Sequence, residues 1–107
     1  MLDRDHIVIA IKLNKDSFYL SSHALLDCGA TGYAFMDEEF AQKYKFPLFK
    51  LKTPRTLEVI DGRPIASGII THITKVPLDI NGHREDAPMF ITKLGHYLVV
   101  LGLPWLC

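Results

Sequence analysis

A chain of 107 residues holds one modest hydrophobic core and is too short for two, so residues 1–107 are expected to form a single domain. Apolar residues make up 49 % of it, which excludes a disordered segment. Its 12 Lys plus Arg balance 12 Asp plus Glu, so no broad basic face is available to a phosphate backbone and no nucleic acid contact is expected.

No apolar run reaches the roughly 18 residues of a membrane span, and Met1-Leu2-Asp3-Arg4-Asp5 is too acidic and polar for a secretory signal. The expected setting is cytoplasmic, with no membrane contact. From His6 to Leu13 the chain alternates, with Ile7, Ile9, Ile11 and Leu13 on one side and Val8, Ala10 and Lys12 on the other, as in a strand. Asn14-Lys15-Asp16-Ser17 supplies turn chemistry, and a second strand runs from Phe18 to Asp27 with a kink expected at Ser21-Ser22-His23.

The informative stretch is Ala24-Leu25-Leu26-Asp27-Cys28-Gly29-Ala30-Thr31-Gly32. Three apolar residues lead into one acid followed by small residues, so Asp27 reads as the end of a buried strand that turns into a loop. Such an acid either caps its own turn or is kept there for chemistry, since ionised carboxylates are rarely buried without a partner. Tyr33-Ala34-Phe35-Met36 is short and apolar. From Asp37 to about Lys45 the period becomes helical: Asp37 stands as N-cap, Glu38 and Glu39 fill the first turn, Lys43 and Lys45 the last, and Pro47 follows as a stop.

Leu48 to Arg55 reads as irregular and basic. Thr56 to Ser67 forms a hairpin turning at Asp61-Gly62, and Ile65 to Ile80 is strand-like, with Ile65, Ser67, Ile69, Thr71 and Ile73 on one face and Pro77 as an interruption. Asn81-Gly82 marks another hairpin. His83 to Asp86 is polar, Met89 to Thr92 a strand, Lys93 to His96 a turn, and Tyr97 to Leu101 a central strand buried on both faces and ending at Gly102. Many short strands with one helix point to an all-β domain, a small barrel or sandwich.

In this order, the Asp27-Cys28-Gly29-Ala30 loop, the hairpin carrying Val59-Ile60-Asp61-Gly62-Arg63 and the late Val99-Val100-Leu101-Gly102 resemble the retropepsin-like aspartic proteases. The variety most similar is the protease segment of gypsy-type retrotransposon (Gag-Pol) polyproteins of fungi, where a segment like Leu101-Gly102-Leu103-Pro104-Trp105-Leu106 is frequent. The resemblance covers residues 6–106 and implies a small closed β-barrel with the one helix near 37–45. It implies a homodimeric aspartic endopeptidase in which each copy contributes Asp27 to activate a water, with no cofactor or metal. Cys28, Gly29, Ala30 and Thr31 would form the active-site loop. Val59, Ile60, Asp61, Gly62, Arg63 and Pro64 would form a flap over a peptide or polyprotein substrate, and Leu101 and Gly102 would support the loop from behind. Location in virus-like particles would follow from that origin.

Two departures stand out. The family usually carries Thr or Ser after the aspartate, where this chain has Cys28, a weaker hydrogen-bonding group. Retropepsins also usually end in a helix and a strand that join the dimer sheet, whereas this chain stops at Cys107, so the domain is cut short or dimerises through other surfaces. Both favour the alternative of a weak or inactive protease-like fold serving as a dimerisation or peptide-binding module. Cys28 as a nucleophile with His23 as base has no support in the spacing, although a Cys28 disulfide between copies is open. His6, His23, His72, His83 and His96 show no ligand spacing, and Trp105 reads as a core plug.

Overall fold

A computed structural model describes residues 6–15, 18–27, 34–56, 69–94 and 97–102. Seven strands and one helix follow in the order β1 (His6–Lys15), β2 (Phe18–Asp27), β3 (Ala34–Asp37), α1 (Glu38–Lys43), β4 (Phe49–Thr56), β5 (Ile69–Ile80), β6 (His83–Thr92) and β7 (Val99–Leu101). The sheet order is β1-β2-β7-β3-β6-β5-β4, and an added β1–β5 pairing closes the first six strands into a barrel. The expected closed β-barrel with one short helix is what the described residues form.

Closure depends on β5 changing partner along one edge. Its first half pairs with β4, from Thr56 opposite Ile69 to Phe49 opposite Ile73, and its end pairs with β1, Leu78 with Leu13 and Asp79 with Lys12. Pro77 falls in the gap between these two pairings. A proline there leaves no ladder bond unmade on that edge, so β5 runs unbroken where an interruption was expected. The buried side of β5 carries Ile70, Thr74, Val76, Leu78 and Ile80, while Ile69 and Thr71 of the set first grouped by alternation face solvent.

Alternation in β1 is realised: Ile11 and Leu13 are buried, and Val8, Ala10 and Lys12 are exposed. The β1–β2 ladder is continuous from His6–Asp27 to Lys15–Phe18, so there is no kink at Ser21-Ser22-His23, and Asn14 and Lys15 belong to the ladder rather than to the turn. The Asn81-Gly82 turn has φ 51° and 84°, the pair of positive values that a two-residue type I′ hairpin requires. Asp79 Oδ1 accepts from the Gly82 amide at 3.0 Å and fixes the turn from its flank.

The helix is shorter than the periodicity indicated, because it is closed at both ends by specific bonds. Asp37 Oδ2 accepts from the amides of Glu39 and Phe40 at 3.2 and 3.3 Å. At the other end the Lys45 amide bonds Gln42 O and the Phe46 amide bonds Ala41 O, with Lys45 at φ 56°, which is a Schellman ending two residues before Pro47. The Phe46 ring packs against Phe40, centroids 5.8 Å apart, supplying the hydrophobic contact of that motif.

Asp37 does more than cap. Its Oδ1 accepts from the Leu94 amide at 3.0 Å, and its own amide donates to Leu98 O at 2.8 Å, tying the β6–β7 connection to the helix start. Replacing Asp37 by Ala is expected to cost about 2–3 kcal/mol in urea unfolding, the sum of a lost cap and a part-buried amide left without its acceptor. Asp37→Asn, which keeps one carbonyl oxygen, should recover about half; a cost under about 0.5 kcal/mol in the Ala variant would refute the tie.

Two apolar clusters divide by strand parity. The first, led by Leu13, Leu26, Met36, Leu78, Met89 and Leu101, fills the barrel; the second gathers Leu25, Phe35, Ile70, Phe90, Leu94 and Val100. Val99 to Leu101 are buried at 0–1 %, as expected for a central strand covered on both faces. The strand is shorter than the Tyr97-to-Leu101 run, since Tyr97 is half-buried and Leu98 is 43 % exposed ahead of it. Thr74 is fully buried, and its hydroxyl has no hydrogen-bond partner among the described residues. Removing that hydroxyl in Thr74→Val should raise stability by about 1 kcal/mol, read as a higher urea midpoint at unchanged slope; a lower midpoint would mean that the hydroxyl is satisfied.

Two further segments differ from expectation. Leu48 to Arg55 is not irregular, since Phe49–Thr56 is the outer strand β4, whose register shifts between Lys50 and Arg55. His83–Asp86 is the exposed start of β6, held by pairing to β5 through Ile80 opposite His83.

Candidate active site

β2 delivers Asp27. The last residue of that strand pairs with His6 on one side, while one residue earlier Leu26 lies beside Leu101 of the parallel strand β7. On the far side of β7, Ala34 at the start of β3 is antiparallel to the same Leu101. β7 is thus inserted between two strands that are consecutive in sequence, and the ends joined by residues 28–33 flank it at Leu101. Leu26 is 6 % exposed and Leu101 0 %, and Gly102 is also buried, so the backbone at Asp27 stands on closed packing.

Of the residues expected to form the site, Asp27, Leu101 and Gly102 are brought to one end of the barrel. Cys28, Gly29, Ala30 and Thr31 lie outside the described residues, as do Val59, Ile60, Asp61, Gly62, Arg63 and Pro64. What is described is the base from which residues 57–68 depart: Thr56 and Ile69 form an antiparallel pair at the ends of β4 and β5.

A family model described as the PEG10/RTL1 protease domain matches residues 23–107. The chain belongs to this family. The PEG10/RTL1 protease domain is a retropepsin-like domain of gypsy-derived proteins, which agrees with the barrel and with the protease character read from the Asp27 loop. No solved structure matches the chain. The match begins at His23, within β2, yet β1 is part of the barrel, with Ile11 and Leu13 at 2 % and 0 % exposure.

Two surface grooves are lined by described residues of this PEG10/RTL1-type domain. One is lined by Lys12, Ser21, His23 and Asp79, another by Glu38, Leu48, Ile69 and His72. His72 Nδ1 is 2.8 Å from Thr71 Oγ1, and His83 Nε2 is 3.4 Å from Glu85 Oε2, so both have polar neighbours at the surface. The sequence reading missed Arg55, whose guanidinium carbon lies 5.4 Å from the centre of the Phe90 ring in the second cluster. The available signal was the Phe49-Lys50-Leu51-Lys52 alternation, four residues of period two in a stretch taken as loop.

Proposed function

We propose that this domain is an aspartic endopeptidase active as a homodimer, each copy contributing Asp27, and that it processes a peptide or polyprotein. The observation that carries this is an aspartate followed by Cys28-Gly29-Ala30 at the end of a buried strand, backed by Leu101 and Gly102, in a retropepsin-like protease domain. A single carboxylate serves as base or as acid, whereas peptide hydrolysis uses both together. Two carboxyl groups about 3 Å apart do not both ionise, so the pair shares one proton, as in the aspartic-protease dyad that is the standard example. The ionised member takes a proton from water as it attacks the scissile carbonyl, and the protonated member donates to the carbonyl oxygen. The pair titrates as a unit.

Residues Val59, Ile60, Asp61, Gly62, Arg63 and Pro64 act as the flap, excluding water over a substrate bound as an added strand, and Gly29 permits close approach of the two loops. The reading includes a Gag-Pol-type polyprotein as substrate, with the Leu101-to-Leu106 segment favouring a fungal element. It also includes a cytoplasmic or particle-enclosed setting without nucleic acid or membrane contact. Incubation with a mixed peptide library from about pH 4 to about pH 7, read by mass spectrometry and paired with sedimentation, tests it. Cleavage by a dimer supports the proposal; a folded dimer that cuts nothing refutes it and leaves the second reading, a dimerisation or peptide-binding module. That second reading is favoured by Cys28, whose thiol replaces a hydroxyl and weakens the loop by on the order of 1 kcal/mol per lost hydrogen bond.

A further inference from the structure

β1 has two edges and they differ. One is paired to β2 along all ten residues. The other meets β5 only at Lys12 and Leu13, because β5 reaches the Asn81-Gly82 turn just past Ile80 and departs. Among the described residues nothing pairs with that edge from His6 to Ile11.

This open stretch reads His6-Ile7-Val8-Ile9-Ala10-Ile11, with no lysine, no acid and no proline. The outer strand β4 shows the opposite treatment, carrying Lys50, Lys52, Pro54 and a register shift. Those are the devices by which proteins keep a free edge from recruiting another strand. Among the described residues, then, the β4 edge is guarded and the β-branched β1 edge is left uncovered.

We infer that the His6–Ile11 edge of β1 is a self-association surface, taking the same edge of a second copy as an antiparallel strand. The run is its own complement: uncharged against uncharged, in a chain of net charge zero that sets up no repulsion between copies. Asp79 already occupies the place opposite Lys12, and a twofold axis normal to the sheet at Val8 pairs residues 6–10 of one copy with residues 10–6 of the other. Val8 and Ala10 then face solvent in both copies, where Val8 is 50 % exposed in the single chain, and Ile9 and Ile11 keep to the core side.

This contact is not the catalytic pairing. Asp27 lies one strand further out and level with His6, so strand spacing and rise put the two Asp27 backbones roughly 20 Å apart across such an axis, too far to share a proton. The surface is therefore a second interface, and it stands whether or not the domain cleaves peptides.

A charge swap at the axis tests it. In Val8→Lys and in Val8→Glu, identical charges face each other at an exposed position, so each variant alone should associate at least about tenfold more weakly than wild type by sedimentation, while an equimolar mixture regains wild-type association. Hydrogen exchange of wild type across a dilution series, which needs no variant, should show the alternate amides of residues 6–10 that point away from β2 protected at high concentration and exposed at low. Exchange there that is independent of concentration, or variants that associate alone as well as when mixed, would overturn the inference.

Discussion

Asp27→Asn is expected to lower kcat/KM for peptide cleavage by about 100- to 10,000-fold, the usual contribution of acid–base catalysis, with no measurable loss of folded protein. The substitution keeps the shape of the side chain, and the backbone pairing of residue 27 with His6 does not depend on its charge. Because the proposed site takes one carboxylate from each copy, the variant should also poison wild type. When the two are mixed and allowed to exchange at fixed total concentration, activity should vary as the square of the wild-type fraction, so that an equal mixture retains about a quarter. A linear dependence would mean that each copy works alone and would refute the shared dyad, whatever the single variant does.

The second large effect is on stability. Leu101 is 0 % exposed and stands between Leu26 and Ala34, in register with both. Leu101→Ala should cost about 2–5 kcal/mol, the transfer term plus the cavity that neighbouring strands cannot close. For a domain of this size that is a fall in Tm of roughly 10–30 °C, and Leu101→Met should cost under about 1.5 kcal/mol. Since both strand ends that lead into residues 28–33 rest on Leu101, cleavage per folded molecule should also fall in the Ala variant. A shift in Tm of only a few degrees would contradict the packing described.

The readable parts of the fold were those in which a local signal and the tertiary context agree. The β1 alternation, the Asp37 cap, the Asn81-Gly82 turn and the apolar Val99–Leu101 run each state their structure within a few residues. β4 was not readable, because its regular pairing is broken after Lys50 and its alternation lasts only four residues before Pro54. The start of β6 was missed for a related reason: its first four residues are exposed, so no buried face marks them, and only pairing with β5 makes them a strand. At the site, Asp27 was conspicuous as an acid ending an apolar run. The insertion of β7 between β2 and β3 was not, since nothing within either segment encodes a neighbour that lies far along the chain.

The two-residue contact that completes the barrel also bears on the order in which the molecule assembles. The innermost pairs of the β5–β6 and β1–β2 ladders, Ile80 with His83 and Lys15 with Phe18, are each separated by two residues, so both ladders can zip early at little entropic cost. Lys12 and Leu13 must instead find Asp79 and Leu78 across most of the chain for the return of two residue pairs. That closure belongs after the rate-limiting step, so weakening it should speed unfolding and leave the folding rate nearly unchanged.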